Sequence, residues 1–298
     1  MVERSQVLTN PVIGVRAQRR VHRHAFHLAR TNPLGLIGLL LIAALVITGV
    51  FAPLIAHHPI DAFAGRPNAG PSSQFWFGTN KFGQDIFSRV VYGARISLKV
   101  GFLSVICGTA LGLVIGATSG VRGGIIDTII QRIVDTAIAF PQVIFLLIII
   151  RSLGPSEQNV ILVIAVLIVP GVTRIIRGAA LAQKQNVYIE AARALGASDA
   201  RIVFRHVIPN LLPIAIVLAT TLLGTAILAE SALSFLGLGI PPPNPSWGVD
   251  INSARTGYPI NVSAALFPGL AISLTVLGFN FLGDSLRDVL DPRLRGSR

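Results

Sequence analysis

Six long apolar runs, separated by more polar segments, dominate the pattern of the chain. They cover residues 34–56, 94–119, 133–152, 159–177, 211–236 and 264–283. A helix needs about 20 consecutive apolar residues to cross about 30 Å of hydrocarbon, and each run is close to that length or longer. The pattern therefore predicts six membrane-spanning helices.

The composition supports one membrane domain. Of the 298 residues, 52% are hydrophobic and only 13% are charged, and the mean hydropathy is +0.69. A water-soluble domain of this length does not need so much apolar surface. We therefore expect lipid to surround most of the chain.

The net charge of +12 invites a nucleic-acid interpretation, so the positions of the 25 basic residues matter more than their number. If the N-terminus is cytoplasmic, most of them lie in the segments 1–33, 120–132 and 171–210 and in the C-terminal tail. An excess of Lys and Arg marks the side of a membrane that is not translocated. The charge therefore predicts cytoplasmic termini, and its dispersal over four segments argues against a nucleic-acid partner.

The second span carries a glycine at every fourth position. Glycines with this spacing leave one helix face bare, so another backbone can approach it closely. The stripe predicts a packed multi-helix bundle and consists of Gly108, Gly112, Gly116 and Gly120. Pro141, Pro170 and Pro268 fall within or at the end of spans and predict kinks, because proline cannot donate a backbone hydrogen bond.

The residue types argue against an enzyme. All six histidines lie outside the predicted spans, so an intramembrane serine protease lacks its base. The chain has no H-E-x-x-H motif for zinc and no G-x-x-x-x-G-K-[ST] loop for ATP. If transport through this chain is ATP-driven, another chain binds the ATP.

A polar stretch, residues 188–210, separates the fourth and fifth spans and predicts two short helices. Helical spacing of apolar residues ends at Gly196, a natural stop for a helix. Ser198 and Asp199 can cap a second helix that ends at Pro209. The pair could lie on lipid, but its small Ala and Gly side chains favour a socket on another protein.

These residues resemble a known family. EAARALGAS, residues 190–198, followed by HVIPN, resembles the EAA loop of ABC importer permeases, whose short coupling helix enters a cleft of the ATPase subunit. The dipeptide/oligopeptide/nickel permeases of the C type, the second permease subunit, are also similar in four other places. These are Asn32-Pro33, FGTNKFGQDIFSRVVYGARISL at 77–98, AESALSFLGLGIPPPNPSWG at 229–248 and FPGLAISLTVLGFNFLGDSLRDVLDPRLR at 267–295.

The chain departs from this family at two positions. Asn80 and Gln84 stand where the family commonly has Asp and Arg, so an external salt bridge between these places is in doubt.

The fold that the resemblance implies is an all-α integral membrane protein. It is a six-span helical bundle of the ABC importer permease type with a cytoplasmic coupling-helix loop, residues 178–210.

The predicted segments follow from the spans and the resemblance together. They are a cytoplasmic basic tail at 1–33, a first span at 34–56, an extracytoplasmic segment at 57–93, a five-span core at 94–285 and a cytoplasmic tail at 286–298. The location implied is the inner membrane of a prokaryote.

The resemblance also implies a non-catalytic subunit that binds no cofactor or metal itself. Its expected partners are a homologous B-type permease, two cytoplasmic ABC ATPases that bind ATP, an extracytoplasmic solute-binding protein and membrane lipid. The expected cargo is a dipeptide or oligopeptide, with a nickel complex or glutathione as alternatives. An ATP-independent channel or carrier remains the alternative of another class, and transport without ATP hydrolysis would distinguish it.

Two sets of residues are candidates for function. The resemblance carries Glu190, Ala191, Ala192 and Gly196 over as coupling positions, and the predicted coupling set also includes Arg193, Ala197, Ser198 and Arg205. Asp135 and Glu230 lie near the ends of spans, where carboxylates are costly enough to suggest a place in the substrate pathway. The alternative for both is pairing with an arginine or the backbone of a neighbouring helix.

Overall fold

The computed structural model describes residues 33–255 and 261–290. Most of the predicted N-terminal tail, and residues 291–298 of the predicted C-terminal tail, lie outside these ranges. The described chain is helical, and its helices are α1 (Pro33–Val50), α2 (Ala52–Ile55), α3 (Ile86–Arg122), α4 (Gly124–Ala139), α5 (Gln142–Leu153), α6 (Glu157–Lys184), α7 (Val187–Ala194), α8 (Asp199–Ile202), α9 (Ile208–Phe235), α10 (Trp247–Arg255) and α11 (Val262–Leu290).

Within the described ranges, five helices are long and apolar enough to cross a membrane. They are α1, α3, α6, the continuous segment Asp199–Phe235 and α11. A sixth crossing is possible only if α4 and α5, which meet at 95°, count as one broken span. The multi-pass helical fold is thus confirmed.

The predicted third span, residues 133–152, is not one helix. It is divided between α4 and α5, with Phe140 extended at φ −80° and ψ 136° before Pro141. A proline disfavours helical dihedrals in the residue before it, which explains the break. Pro170 and Pro268, where kinks were also predicted, lie inside uninterrupted helices.

The glycine stripe of α3 packs directly on α6. A Cβ atom added to any of the four glycines would lie 2.6–2.7 Å from an atom of α6, closer than real side chains approach. The backbones can meet at this distance only because the side chains are absent. The predicted close packing is confirmed, and the structure identifies α6 as the partner helix.

The second of the two short predicted helices is longer than expected. Helix α8 begins after Ser198, whose Oγ accepts a hydrogen bond from the backbone N–H of Arg201 at 3.4 Å. It does not end at Pro209 but continues through a wide π-helical turn, Val203–Val207, into α9. In this turn the N–H of Ile208 reaches back five residues to the carbonyl of Val203. The wider turn leaves room for a proline ring that would interrupt a regular helix.

The end of the bundle far from α7, which we call the distal end, is closed by residues 57–85 and by α10. Trp247 of α10 is 1% exposed, and its Nε1–H donates to the carbonyl of Val90 at 3.0 Å. Its indole lies against Gly93, where a Cβ would be 2.7 Å from Trp247 Cδ1. The Arg89 guanidinium also pairs with Asp250 of α10, with Nε 2.6 Å from Oδ1. These contacts fasten α10 to the start of α3.

Candidate coupling surface and transport cavity

Helix α7 is held by one buried apolar side chain and exposes others. Ile189 is 1% exposed and belongs to the apolar core, whereas Val187 is 79% exposed and Leu195 is 89% exposed. Exposed apolar side chains on a segment that is ordered and capped are typical of a surface that meets another protein. The apolar residues predicted for this segment therefore lie on two faces, one packed against the core and one exposed.

The turn after α7 has the geometry that the sequence predicts. Gly196 has φ +82°, a left-handed conformation that costs glycine little. Its N–H donates to the carbonyl of Arg193 at 3.0 Å, and the N–H of Ala197 donates to the carbonyl of Ala192 at 3.0 Å. These bonds satisfy the last carbonyls of the helix, so the position favours glycine for a backbone reason.

The predicted coupling residues are close in sequence, and most of them are exposed. We define the coupling surface as α7, residues 195–198 and the exposed side chains of Arg201, Phe204 and Arg205. Arg193 lies 3.6 Å from Asp199 across the turn, measured from NH2 to Oδ1. On this surface the exposed predicted residues are Glu190, Ala191, Arg193, Gly196, Ser198 and Arg205, whereas Ala192 and Ala197 are half-buried.

Tyr188 ties the coupling surface to two spans, a role that apolar periodicity did not reveal. Its hydroxyl donates to Oε1 of Gln183 in α6 at 2.9 Å and accepts from Nδ2 of Asn210 in α9 at 3.4 Å. Nδ2 of Asn210 also donates to the carbonyl of His206 at 2.6 Å. Asn210 of the H-V-I-P-N segment thus fixes α7 to the base of α9.

A cavity of about 1270 Å³ lies among α4, α5, α6, α9 and α11. Most of its lining is aliphatic, from residues such as Leu146, Ile168 and Leu222. Its polar lining residues are Gln142, Thr221, Thr225, Asp284 and Arg287. The sequence did not predict the cavity, because its wall is assembled from five helices that are separated along the chain.

Neither of the two predicted pathway carboxylates lines this cavity. Asp135 of α4 accepts a hydrogen bond from the guanidinium of Arg174 in α6, and both side chains are about half exposed. Glu230 of α9 is fully buried near the distal end. In this structure, both therefore have partners within the chain.

Four serine hydroxyls surround the Glu230 carboxylate. Ser246 donates at 2.7 Å, Ser234 at 2.8 Å, Ser97 at 3.3 Å and Ser231 at 3.4 Å. Because Ser97 is on α3 and Ser246 follows the loop after α9, one side chain joins three parts of the fold. Burying a carboxylate requires such hydrogen bonds.

We expect Glu230→Leu to destabilise the chain by about 2 kcal/mol, because it leaves several buried hydroxyls without an acceptor. Glu230→Gln keeps one carbonyl oxygen of similar shape, and we expect it to cost less than about 1 kcal/mol. Thermal unfolding of the purified chain in detergent would measure both. Equal midpoints for Glu230→Leu and the unmodified chain would show that the cluster contributes nothing to stability.

The two positions that depart from the family hydrogen-bond to each other. Nδ2 of Asn80 donates to Oε1 of Gln84 at 2.8 Å, and Oδ1 of Asn80 accepts from the N–H groups of Phe82 and Gln84 at 2.9 and 3.0 Å. A hydrogen-bonded pair of neutral amides therefore stands at the two positions where the family commonly has Asp and Arg.

Comparisons with known proteins agree with this architecture. Residues 109–296 match the family model described as binding-protein-dependent transport system inner membrane component, and residues 23–71 match the N-terminal TM domain of oligopeptide transport permease C. The dipeptide transport system permease protein DppC of Alkalihalophilus pseudofirmus is 42% identical over 274 residues, which are 92% of this chain and 90% of that protein. The glutathione transport system permease protein GsiD of Escherichia coli is 41% identical, over 90% of this chain and 89% of that protein.

A solved structure shares the fold. A chain of the MetNI methionine ABC transporter, in an inward-facing conformation, superposes with a TM-score of 0.56 at 24% identity, covering 69% of this chain and 98% of that one. At this identity the likeness concerns the fold alone. Together with the full-length relatives and the family match over most of the chain, it leads to one conclusion. The chain belongs to the family of inner-membrane components of binding-protein-dependent transport systems, the permease subunits of ABC importers.

Proposed function

We propose that this chain is the C-type permease subunit of an ATP-driven importer of dipeptides or oligopeptides. It forms half of a translocation pathway with a homologous B-type permease. Two cytoplasmic ABC ATPases bind and hydrolyse the ATP, and an extracytoplasmic solute-binding protein delivers the cargo. The chain itself needs no cofactor, and both of its termini are cytoplasmic. The observation that carries this proposal is that one helix, α6, leads from the cavity to the coupling surface.

The coupling surface fits an ATPase socket. It presents the exposed apolar side chains of Val187, Leu195 and Phe204 beside the basic groups of Arg193 and Arg205. Apolar anchors and arginines are the residue types that contribute most at protein interfaces. The low relief at Ala191 and Ala192 lets the helix enter a cleft, and Arg193 and Arg205 then meet the partner at its rim.

The cavity fits one wall of a peptide pathway. Its volume of about 1270 Å³ exceeds the usual size of a small-molecule pocket, about 300–1,000 Å³. A pathway for peptides must accept varied side chains. A largely aliphatic wall with few fixed charges selects little among them. Asp284 and Arg287 are the ionisable residues of the described lining and carry opposite charges, suited to the two ends of a zwitterion.

Glutathione is the second candidate, because relatives named as glutathione permeases are nearly as similar as the dipeptide permease. Glutathione is itself a small peptide, and the same cavity would accept it. A nickel complex remains the third possibility within this family. Competition among these solutes for uptake would separate them.

Purification of the tagged chain from its native membrane, followed by reconstitution into liposomes, tests the proposal. We expect a second permease and two ATPases to copurify, and peptide uptake to require ATP and the binding protein. Excess dipeptide should reduce uptake more than excess glutathione does. Solute flux through the chain alone, without ATP, would instead establish a channel or carrier.

We expect Gly196→Pro to reduce ATP-dependent uptake at least about tenfold, because proline cannot adopt φ +82° or donate the N–H that caps α7. Glu190→Lys, on the exposed face of α7, should also lower uptake while leaving the fold intact. Uptake and ATPase activity of the assembled complex would measure both effects. Gly178→Ala, at an open position of α6, is the matched control. Full ATP-dependent uptake by both Gly196→Pro and Glu190→Lys would contradict the proposed docking of α7 on the ATPase.

A further inference from the structure

Helix α4 has two chemically different faces. Asp127, Gln131 and Asp135 recur every fourth residue and therefore lie along one side of the helix. Ile125, Ile129 and Ile133 share the same spacing on another side and are 79%, 55% and 65% exposed. The polar side meets α3 and α6 through hydrogen bonds and ion pairs.

The stronger of these contacts joins Asp127 to Arg177 of α6. Arg177 donates from Nε to Oδ1 and from NH2 to Oδ2, both at 2.6 Å. Ser119 of α3 donates to the same carboxylate, and Nε2 of Gln131 donates to the Ser119 hydroxyl at 3.2 Å. A bidentate arginine–carboxylate pair fixes orientation as well as distance. A second pair, Asp135 with Arg174, lies two turns further along α4.

The position of these pairs relates them to transport. Arg177 lies two turns before Lys184, where α6 ends next to the coupling helix. At the end of the α4–α6 contact that is farther from the coupling surface, Ala137 and Ile138 of α4 line the cavity. Ile175 of α6, the neighbour of Arg174, lines it as well. The two ion pairs therefore lie between the coupling surface and the cavity wall, on the helix that connects them.

The bend after α4 gives this position a mechanical consequence. Helix α5 turns away at 95°, and its residues 142–147, apart from Ile144, line the cavity. A displacement of α6 that is passed to α4 therefore reaches the cavity wall through the joint at Pro141. Apolar side chains can slide past one another, whereas a bidentate pair resists sliding because its hydrogen bonds are directional.

We propose that the two ion pairs between α4 and α6, which we call the α4–α6 charge pairs, transmit movement of the coupling surface to the wall of the cavity. Asp127, Arg177, Asp135 and Arg174 are then positioning residues for transport. The inference rests on the proposed ATP-driven function and adds a route by which ATP hydrolysis reaches the pathway.

The test measures how much peptide is taken up for each ATP hydrolysed by the whole complex in proteoliposomes. Asp127→Arg places two like charges together, and we expect it to lower this ratio by about fivefold or more while hydrolysis continues. The double variant Asp127→Arg with Arg177→Asp restores opposite charges and should return the ratio to within about twofold of the unmodified complex.

A matched control is available at the distal end of α6. Glu157 pairs with Lys99 of α3, with Nζ 2.7 Å from Oε1, but this pair is more exposed and far from the coupling surface. Glu157→Gln should leave the ratio unchanged. A purely structural role of Asp127 would reduce the amount or thermal stability of the complex, but the assembled fraction would keep its ratio.

The Asp135–Arg174 pair provides a second test if the complex that carries Asp127→Arg does not assemble. Asp135 and Arg174 are 53% and 49% exposed, so Asp135→Asn should assemble and lower the ratio by about twofold. An unmodified ratio in Asp135→Asn and in every assembled Asp127 variant would overturn the inference. If the unmodified complex itself showed no ATP-dependent uptake, the proposed function would fail instead.

Discussion

Gly116→Ala is expected to destabilise the bundle by about 2 kcal/mol, because it adds a methyl group where no space exists. The new Cβ would lie 2.6 Å from the carbonyl oxygen of Thr173 and 3.0 Å from Cβ of Ile176. A backbone atom cannot rotate away as a side chain can, so α3 and α6 must separate along their interface. Thermal unfolding in detergent, with the fraction of monodisperse protein, would measure the loss.

Gly178→Ala provides a comparison with the same chemical change. Gly178 is also inside a helix, but no atom beyond its chain neighbours and the adjacent turns of its own helix backbone lies within 4 Å of its added Cβ. Alanine is favoured over glycine in a helix by about 0.5–1 kcal/mol. We therefore expect opposite signs for the two substitutions. A gain of stability in both variants would show that helix propensity, and not the contact of α3 with α6, governs these positions.

Arg89→Met is expected to cost about 3–5 kcal/mol, since it leaves the Asp250 carboxylate buried without its cation. The two side chains are 8% and 9% exposed, and Arg89 NH1 also donates to the carbonyl of Ile60 at 3.2 Å. Replacing both members, as Arg89→Met with Asp250→Leu, removes the unpaired charge and should recover most of the loss. Lys99→Met, in a more exposed pair, should change stability by less than about 1 kcal/mol.

The effect of Arg89→Met should also depend on pH. Burial raises the pKa of the Asp250 carboxyl, and Arg89 opposes this rise. Without Arg89 the pKa in the folded chain rises further, so the folded state binds a proton more tightly than the unfolded state does. The folded state is then favoured at low pH, and the loss should be smaller at about pH 5 than at about pH 8. A loss that is equal at both values would show that missing contacts, not the charge, cause the destabilisation.

Much of the fold and part of the candidate site could be predicted from local features. The apolar runs predict membrane spans by length alone, the stripe from Gly108 to Gly120 predicts a close helix contact, and Gly196 predicts the end of the coupling helix. Each depends on a few neighbouring residues, and the structure agrees with each except at the third predicted span, which is divided between α4 and α5. The E-A-A segment predicts a coupling surface because its residues are consecutive, so they lie together in any fold.

The sequence did not show which prolines interrupt a helix. Pro141 interrupts a helix whereas Pro170 and Pro268 do not, although all three lack the same N–H group. Pro209 also lies in an uninterrupted segment, because a wide turn precedes it. Whether a proline ends a helix thus depends on how the surrounding backbone accommodates the ring, which hydropathy and propensity do not record.

The sequence by itself determined the class of this protein: an all-α membrane bundle with a coupling loop and the motifs of an importer permease. Only the tertiary structure decided that Asp135 pairs with Arg174, that four serines surround Glu230 and that the cavity lies among five helices. Hydropathy and turn chemistry act over a few residues, so a sequence displays them directly. The partner of a charge and the wall of a cavity depend on which helices lie side by side, and that arrangement is set by packing along the whole chain.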